Sequence, residues 1–478
     1  MVGQLMNWQI ALPEIVLAGC GLLVLMVGVL IKKQNSAQLC SMLVLASFLV
    51  AALLSLSAPQ DVGYNGLFTL DRFAVFVKIL VLIAASLAVV LSLDYNTHHG
   101  IARFEFPVLI LLSTVGMMVM VSATNMMSLY LGVELSSLAI YVLAAFARND
   151  VRSSEAGLKY FVLGALASGL LLYGMSLVYG FAGSLDFASL RAVFTTETAQ
   201  LGAVVGVVFI VAGLAFKISA APFHMWTPDV YEGAPVPVTG FMATAPKVAA
   251  LAVFVRILSM PFGHLLPQWQ QLIVLLSIVS MVWGSLAAIG QWNIKRLMAY
   301  SSIGHMGYAL VGVATGTEAG VRGVLVYLAS YIFASAGVFA CIIAMRKKGH
   351  AVERIADLKG LGKTDPMLAF LLMFFMFSLA GVPPFAGFIG KLYVFLAAVQ
   401  AGMWTLAIIG VLTSVISTFY YLWVLKQVYF DQSEGAFDGR APSVSFVAGL
   451  GGLVTLSFFV FASPVVNAAE AAARALFG

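Results

Sequence analysis

Charged residues and cysteines are both scarce in this chain of 478 residues. Only 9% of its positions carry Asp, Glu, Lys or Arg, while 62% are hydrophobic. Soluble domains average about 25% charged residues, so the composition excludes an ordinary soluble protein and favours membrane-spanning helices. The formal net charge of +5 does not indicate a nucleic-acid partner, because the basic residues are scattered over short loops rather than clustered.

Motifs for metals and nucleotides are also missing. Cys20, Cys40 and Cys341 lie in or beside apolar segments and form no CxxC pair, which argues against a disulfide framework or a metal cluster. The histidines show no HExxH spacing, and no phosphate-binding glycine motif occurs. We therefore expect neither a metal nor a cofactor in this chain. The apolar N-terminus lacks a basic segment and a clear cleavage site, so we interpret it as a first span rather than a signal peptide.

Apolar runs long enough to cross a bilayer recur along the chain. A span needs about 20 residues, and the pattern predicts an all-α polytopic membrane protein with about 14 transmembrane helices. The predicted spans are 8–31, 37–57, 71–93, 104–122, 125–147, 155–182, 201–233, 238–259, 269–290, 297–315, 319–345, 365–402, 403–430 and 443–464.

Basic residues favour the loops that follow odd-numbered spans. Loops that follow even-numbered spans contain almost none, and Arg191 is the main exception. Since basic loops tend to stay in the cytoplasm, this alternation predicts that both termini lie outside. The basic residues of the cytoplasmic loops are Lys32, Lys33, Arg103, Arg148, Arg152, Lys295, Arg296, Arg346, Lys347, Lys348, Arg354, Lys359, Lys363 and Arg440.

Two of the apolar runs are too long for one straight crossing. As continuous helix, 201–233 would extend about 50 Å and 365–402 about 57 Å, whereas the hydrocarbon core of a bilayer is about 30 Å thick. Pro222 and the second residue of the Pro383–Pro384 pair each precede a phenylalanine. These prolines predict broken helices at the seventh and twelfth spans. Interrupted spans at matching positions indicate an internal repeat.

The matching breaks suggest how a single membrane domain, residues 1–478, is organised. Counting outward from them gives two five-helix repeats that start on opposite sides of the membrane and are therefore inverted. The predicted parts are helices 1–3 (1–103), repeat one with helices 4–8 (104–260), repeat two with helices 9–13 (269–430) and helix 14 (443–464). The stretch 183–200 mixes apolar and polar residues, which fits either a short surface helix or a plain loop.

Four ionisable residues stand deep inside these runs: Glu134, Lys217, Lys247 and Lys391. Each is about nine or more residues from either end of its run, which corresponds to about 14 Å of helix. A lysine side chain can snorkel only part of that distance, and an ionisable group at such depth is by default a functional candidate. The alternative is a structural ion pair between Glu134 and Lys217, which leaves two lysines unpaired.

Other charged residues have simpler interpretations. Lys78 and Lys159 are close enough to a helix end to snorkel. Glu155 and Lys159 have the spacing of a local pair on one helix. Asp229 and Glu232 are expected to be interfacial or structural.

Two histidines extend the set of candidate site residues. His224 follows the break at Pro222 and is expected to face a cavity that opens to the cytoplasm. His305 lies in the run YSSIGHMGYALVG. A histidine titrates near neutral pH and transfers protons readily, but a hydrogen-bonded packing residue is the alternative for both.

A row of buried lysines provides a physical basis for ion movement. Burial favours the neutral amine, whereas a nearby carboxylate favours the protonated one. Moving the carboxylate away therefore releases a proton, and each protonated lysine repels the next. Such a row suits coupling along the membrane plane better than a single pore.

Three segments carry a resemblance to a known family: SSEAGLKYFVLGALASGLLLYGMSLVYG, FKISAAPFHMWTPDVYEGAPVPVTGFMATAPKVAA and IKRLMAYSSIGHMGYALVG. They resemble the subunit N family of the proton-pumping NADH–quinone oxidoreductase, respiratory complex I, within a wider antiporter-like family. The resemblance covers nearly the whole chain. It implies fourteen helices in two inverted five-helix repeats, broken helices 7 and 12, and a role in proton translocation.

The resemblance also implies roles for individual residues. Glu134 matches the glutamate of the fifth helix, Lys217 the lysine of the seventh, Lys247 the connecting lysine of the eighth and Lys391 the ionisable group of the twelfth. Subunit M is similar but carries a glutamate at that last place. Subunit L has a long lateral helix, whereas this chain stops soon after its last predicted span. His224 and His305 also fall in family-like motifs.

The same resemblance implies an assembly. NADH, FMN, iron–sulfur clusters and quinone would belong to other subunits of the complex, and protons would be the substrate of this one. The expected partners are lipids and other membrane subunits, including the M-type antiporter-like subunit and small membrane subunits. The expected location is the bacterial inner membrane, with periplasmic termini. A subunit of an Mrp-like cation/proton antiporter is the alternative, and a scaffold without transport is a third hypothesis.

Overall fold

Helices dominate the structure, a computed structural model that describes residues 7–31, 33–196, 200–433 and 435–477. The α-helices in chain order are α1 (Leu12–Leu30), α2 (Lys33–Ser57), α3 (Arg72–His98), α4 (Glu105–Ser122), α5 (Met126–Ala144), α6 (Val151–Ala182), α7 (Phe187–Thr196), α8 (Leu201–Lys217), α9 (Trp226–Gly233), α10 (Val236–Ala243), α11 (Ala245–Ser259), α12 (Leu266–Ile289), α13 (Ile294–Ala314), α14 (Glu318–Ala344), α15 (Leu361–Thr364), α16 (Pro366–Ala380), α17 (Ala386–Gln400), α18 (Trp404–Phe430), α19 (Pro442–Ser457) and α20 (Ser463–Phe477).

Short elements occupy several of the connections. Turns of 3-10 helix lie at Trp8–Ala11, Tyr64–Gly66, Gly263–Leu265 and Ile355–Leu358. Strands β1 (Asp61–Gly63) and β2 (Phe68–Leu70) pair antiparallel between α2 and α3, with Asp61 opposite Leu70. Strands β3 (Arg346–Lys347) and β4 (His350–Ala351) form a second antiparallel pair after α14. Helix α7 lies within the stretch 183–200, for which the sequence left a surface helix and a loop open. Residues 197–199 of that stretch are outside the described part of the chain. Lys32, one of the predicted cytoplasmic basic residues, is also outside it.

The helices have the length and composition of a polytopic membrane protein. Within the described residues, ten helices are long and apolar enough to cross a membrane. Four shorter apolar helices, α8, α16, α17 and α19, accompany them. Helix α13 coincides with the predicted span 297–315 but belongs to neither group, because its serine, tyrosine, glycine and histidine residues lower its hydropathy.

Gaps between helices occupy both positions at which the prolines predict breaks. Helix α8 ends at Lys217 and α9 begins at Trp226, so Pro222 lies in the connection. Helix α16 ends where Gly381 adopts a φ of 87°, a conformation that glycine reaches without steric cost. The Pro383–Pro384 pair follows, and α17 then begins at Ala386. Each of the two long apolar runs is thus divided into two shorter helices.

A further break, which the sequence did not predict, interrupts the span 238–259. Helix α10 ends at Ala243 and α11 begins at Ala245, with Thr244 between them at φ −117° and ψ −87°. Pro246 lies in the first turn of α11, where its missing N–H is tolerated, but its ring disfavours helix before it. The predicted span is confirmed as the candidate membrane span Val236–Ser259, and the interruption places Lys247 at a helix start.

The last predicted span, 443–464, extends too far. Helix α19 ends at Ser457, and the unpredicted helix α20 begins at Ser463. The buried residues of α20 recur at the spacing of one helical face; they are Ala469, Ala472, Ala473 and Leu476. This face packs against α3 and α14, so α20 lies on the bundle as an amphipathic helix.

Close approaches at glycine hold the site-bearing helices together. A Cβ at Gly116 of α4 would lie 2.4 Å from the backbone nitrogen of Ser136 on α5, and one at Gly174 of α6 would lie 2.6 Å from the carbonyl oxygen of Gly206 on α8. Small residues permit this backbone contact between membrane helices. Because α5 also packs on α6, the helices that carry Glu134 and Lys217 have a fixed relative position.

Candidate functional site

Lys217 is the last residue of α8 and reaches across to α5. Its Nζ donates a hydrogen bond of 2.8 Å to Ser137 Oγ and one of 3.3 Å to the hydroxyl of Tyr141. The amine also lies 5.7 Å from the centroid of the Tyr141 ring. A helix C-terminus carries a partial negative charge that favours a cation. The end of α8 is therefore a suitable place for an ammonium group inside the bundle.

Glu134 lies three residues before Ser137 on α5. Within the described residues, the salt bridges of at most 4.0 Å do not include a Glu134–Lys217 pair, so the direct ion pair considered as an alternative is not formed. The carboxyl oxygen Oε1 of Glu134 is buried without a hydrogen-bond partner. Leu131, Leu135 and Leu138 beside it are 60%, 40% and 53% exposed, so Glu134 borders a face of α5 that this chain leaves uncovered.

Lys247 lies in the first turn of α11 and is 1% exposed. Its Nζ donates a hydrogen bond to Ser302 Oγ on α13. The Tyr331 hydroxyl on α14 donates to the same oxygen at 3.2 Å. The amine lies 5.4 Å from the ring centroid of Tyr231 on α9. Three other helices thus converge on this lysine.

His305 lies one turn after Ser302 on α13 and is buried. Its Nδ1 shares a hydrogen bond with the hydroxyl of Tyr327 on α14, and its Nε2 shares one of 3.0 Å with the hydroxyl of Tyr421 on α18. The Tyr421 hydroxyl is also 2.6 Å from Ser301 Oγ. A histidine with both ring nitrogens in hydrogen bonds to hydroxyl groups can accept a proton at one nitrogen and release one at the other.

Lys391 on α17 points back to the end of α16. Its Nζ donates to the carbonyl oxygens of Ala380 at 2.8 Å and Leu379 at 3.1 Å, and to Ser414 Oγ on α18 at 2.8 Å. The amine lies 4.7 Å from the ring centroid of Tyr308. Lys391 therefore places its charge at the C-terminus of the half-helix that precedes a proline break, whereas Lys217 is the last residue of such a half-helix and bonds to hydroxyl groups of α5.

A small cavity connects His305 with Lys391. Its other lining residues include Tyr327, Tyr331 and Ser378, and it offers about 10 Å³ to water. That space is close to the minimum for one water molecule. Lys247, His305 and Lys391 are therefore consecutive polar groups. The hydroxyl groups of Ser302 and Tyr331 lead from Lys247 to the cavity, and the cavity separates His305 from Lys391.

Aromatic rings fill the space between Lys217 and Lys247. The Tyr141 ring meets the Tyr160 ring edge to face at 4.8 Å, and the Tyr160 ring stacks on Trp226 at 4.2 Å. The Trp226 ring is 6.3 Å from that of Tyr231, which contacts Lys247. This part of the row is more apolar than the part between Lys247 and Lys391. Any proton transfer here requires water or movement of α9.

A cavity of about 1000 Å³ opens at the end of the molecule that carries the basic loops. At its wall, Lys295 Nζ lies 2.9 Å from Glu353 Oε1 and 3.1 Å from the carbonyl oxygen of Ala234, between α9 and α10. His99 also lines it, and burial lowers the pKa of this histidine below its ordinary value. His224 is not among the residues that line this cavity.

His224 lies instead in the connection between α8 and α9. Its ring centroid is 6.0 Å from that of Trp283 on α12. Its Nδ1 is buried without a hydrogen-bond partner. The structure thus places His224 outside the hydrogen-bonded groups that contain His305.

A second buried charged cluster was missed in the sequence. Lys78 on α3 is fully buried, and its Nζ lies 2.6 Å from Glu14 Oε1 on α1. The interpretation of Lys78 as a snorkelling residue is therefore wrong, because its partner holds it inside the bundle. Nearby, Arg256 on α11 makes two hydrogen bonds of 2.8 Å to the Asp71 carboxylate. A signal was available, since Glu14 is as isolated in its apolar run as Glu134.

The predicted local pair of Glu155 with Lys159 and the structural role of Asp229 and Glu232 are confirmed. Lys159 Nζ lies 2.8 Å from Glu155 and also 2.8 Å from Asp229. The Arg296 guanidinium lies 2.7 Å from the Asp229 carboxylate and 3.1 Å from the Glu232 carboxylate. These residues form an ion-pair network that fixes α9 to α6 and α13.

Comparison with known proteins agrees with this arrangement. The sequence model of the family "NADH:quinone oxidoreductase/Mrp antiporter, TM" matches residues 123–417. The NADH-quinone oxidoreductase subunit N of Granulibacter bethesdensis is 63% identical over 476 residues, which cover 98% of this chain and 100% of that protein. The chain belongs to the NADH-quinone oxidoreductase subunit N family.

Solved structures place this family member in a wider fold. A chain of respiratory complex I from Thermus thermophilus is 30% identical with a TM-score of 0.81, and the match covers 95% of this chain and 98% of that one. A chain of the Mrp complex from Dietzia sp. is 22% identical with a TM-score of 0.85, covering 99% and 98%. The latter likeness shows a shared fold alone.

Proposed function

We propose that this subunit N family chain carries protons along a row formed by Lys217, Lys247, His305 and Lys391. The chain serves as a proton-translocating membrane subunit of NADH:quinone oxidoreductase, and the redox groups belong to other subunits. Quinone reduction elsewhere in the assembly drives changes that reach this chain sideways through the membrane. Glu134 tunes Lys217 by its proximity and its position at the uncovered face of α5.

The proposed architecture has fourteen spans, with α8–α9 as the broken seventh and α16–α17 as the broken twelfth. Two inverted five-helix repeats, 104–260 and 269–430, follow helices 1–3 and precede helix 14. The proposal is supported by the matching positions of the two lysines: Lys217 is the last residue of the first half-helix, and the Lys391 amine bonds to the last carbonyl of the other first half-helix. The basic loops lie in the cytoplasm and both termini in the periplasm of a bacterial cell.

The proposed route begins at the cytoplasmic end. A proton reaches Lys217 near the break between α8 and α9, moves to Lys247 and then passes His305 on its way to Lys391. It leaves outward from Lys391. His224 lies beside the proposed beginning of the route but has no assigned transfer step. The partners proposed for the chain are the M-type antiporter-like subunit, small membrane subunits and lipids.

One observation carries the proposal. Lys247 and Lys391 are both buried and reach His305 through hydroxyl groups and a water-sized cavity, although three basic groups in one apolar bundle are costly to hold. A purely structural role needs no such connected arrangement. A relay requires it, because protons move only between groups in hydrogen-bond reach or across one water.

The test is Lys217→Ala in the assembled complex. Proton translocation, followed by a pH-sensitive dye in vesicles, is expected to fall while native gels show normal assembly. Lys426→Ala is the matched control, because the Lys426 side chain is 60% exposed and pairs with Asp431. Full pumping by Lys217→Ala in a fully assembled complex would support the scaffold hypothesis instead.

The Mrp-like antiporter remains the second candidate because the fold is shared with a chain of the Mrp complex. In that case the same lysines would serve an exchange driven by an ion gradient. Reconstitution of the chain alone distinguishes the two functions. Sodium-coupled proton flux without any partner would favour the antiporter, and its absence would favour the complex I subunit.

A further inference from the structure

The C-terminal helix α20 encloses an apolar cavity that none of the proposed proton-transfer residues lines. The cavity measures about 600 Å³ and lies between α3, α14, the end of α19 and α20. Phe76, Ile79, Phe333, Phe458 and Val465 are among its wall residues. Its size lies within the range of about 300–1,000 Å³ that is typical of small-molecule sites.

The cavity opens to the surface beside α20. Leu56, at the end of α2, lines it and is 65% exposed. Pro464 and Ala468 of α20 also line it and are exposed. The cavity is therefore accessible from the region that the bilayer occupies in a membrane-spanning protein.

A polar cleft of about 470 Å³ continues from this cavity. Gln60, Arg72 and Ala471 line both spaces, and Arg474 lines the polar one. An apolar space thus leads to an arginine-bearing space at one end of the bundle. An apolar space next to a polar one fits a molecule that has a long apolar tail and a polar headgroup.

In the part of the chain that the structure describes, the polar cleft contains one arginine that is free to pair with an anion. Among the described residues, none of the ion pairs within 4.0 Å includes Arg72, whose side chain is exposed where the two spaces meet. The charge of Asp71 is balanced by Arg256, whereas exposed Asp61 accepts a hydrogen bond of 3.1 Å from neutral Asn7 and keeps its charge. Arg474 is paired with Glu318 and Glu470. Arg72 is therefore the cation that remains available to a ligand.

A helix of a neighbouring subunit fits this space poorly. A helix with side chains is about 10 Å across, so 600 Å³ holds only about one and a half turns of it. A transmembrane helix needs about 20 residues. The long apolar tail of a lipid is thinner and flexible enough to enter between α3 and α20.

We propose that these two connected spaces form a binding site for an anionic phospholipid. An acyl chain occupies the apolar cavity beneath α20, and the phosphate accepts hydrogen bonds from Arg72, with Gln60 beside it. Arginine suits a phosphate because its planar guanidinium offers two parallel donors. The lipid thereby connects α3 and α14 with the C-terminal helix.

The test uses the whole complex after detergent removal of lipid and reconstitution in phosphatidylcholine nanodiscs. The probe is phosphatidylglycerol with a photoreactive group on one acyl chain, and mass spectrometry locates the labelled peptides. We expect labelling on α3 and α20, which an excess of unlabelled phosphatidylglycerol removes and the same amount of phosphatidylcholine does not.

Two variants change different parts of the site. Arg72→Gln removes the charge, and labelling is expected to fall about tenfold, because hydrogen bonds to charged groups are strong enough for such a loss. Ala468→Trp fills the opening and is expected to abolish labelling. Arg191→Gln is the control, because Arg191 is an exposed arginine that lines neither space.

Several results would overturn the site. Labelling of α3 and α20 that is unchanged in both variants, or that phosphatidylcholine displaces equally well, would exclude an anionic phospholipid. A photo-crosslinker can also be attached to the cysteine of the Ala468→Cys variant. If it captures a protein subunit instead of lipid, a partner subunit covers the cavity. These readouts measure lipid occupancy and do not depend on proton transfer by the lysines.

Discussion

Lys391 places its ammonium group 2.8 Å from the carbonyl oxygen of Ala380, at the C-terminus of the helix that precedes its own. Lys217 occupies the C-terminus of α8 directly, as its last residue. The chain thus uses two different sequence positions, before one proline break and after the other, to bring an amine to the same kind of site. The Lys391 amine uses the partial negative charge of a helix end, and the Lys217 amine uses hydroxyl groups of α5; neither amine forms a salt bridge among the described residues.

Replacing Lys391 should stop the last transfer step. Lys391→Gln keeps a polar side chain but removes the transferable charge, and proton pumping is expected to fall at least about tenfold. The measurement is the pumping rate per NADH oxidised in vesicles. Lys426→Gln is the control; Lys78 is unsuitable as one because it belongs to a buried pair with Glu14. Equal effects at Lys391 and Lys426 would argue against a relay.

Neutralising Glu134 should reduce pumping without loss of assembly. Glu134→Gln retains the shape of the side chain but removes the negative charge near Lys217, so the lysine is less readily protonated. NADH oxidation coupled to pumping is expected to fall several-fold. Glu155→Gln provides a matched control, because Glu155 is 57% exposed in a surface pair. Unchanged coupling in Glu134→Gln would remove the proposed tuning role.

Ser302 should matter because it joins Lys247 to Tyr331. Ser302→Ala leaves the amine and the Tyr331 hydroxyl without their shared oxygen. Since hydrogen bonds to charged groups contribute about 1.5–3 kcal/mol, pumping is expected to decrease about tenfold in an assembled complex. Ser86→Ala is the control, since the Ser86 hydroxyl bonds only to a carbonyl of its own helix. Comparable pumping in both variants would contradict the relay geometry.

His305 should connect the central and outer lysines. His305→Gln preserves one hydrogen-bonding contact but cannot exchange protons near neutral pH, so the pumping rate is expected to fall while electron transfer continues partly uncoupled. The comparison variant is His264→Gln, which changes an exposed histidine at the loop before α12. Normal proton-to-electron ratios in His305→Gln would show that His305 is a packing residue.

Lys78 should affect stability rather than transport. Lys78→Met leaves Glu14 buried without its counter-ion, and the loss in the free energy of unfolding is expected to be about 3–5 kcal/mol. The thermal inactivation midpoint of the complex measures it. Because the double variant Glu14→Gln with Lys78→Met removes both charges, it should recover most of the loss. A single variant as stable as the unchanged protein would mean that the pair contributes nothing.

Sequence reasoning identified the apolar segments and the proline breaks well, because both depend on local properties. The length of an apolar run reflects the thickness of the bilayer, and a proline prevents helix continuation wherever it occurs. The break at Thr244 was still missed, although Pro246 was visible, because that run was short enough for one crossing. The helix α20 was missed because its alternation of alanine and polar residues acquires meaning only against α3 and α14.

The sequence by itself determined that several amines must be held in an apolar environment and where the chain must bend. Only the tertiary structure decided which amines belong together. His305 is hydrogen-bonded at both ring nitrogens because α14 and α18 bring Tyr327 and Tyr421 to its ring, whereas Nδ1 of His224 has no such partner. Lys78 lies closer to the end of its apolar run than Lys217 does, yet both are buried: the position of α1 gives Lys78 a carboxylate partner, while α5 gives Lys217 a hydroxyl. Burial of a charge is thus readable from composition, but its function depends on what distant segments place within hydrogen-bond reach.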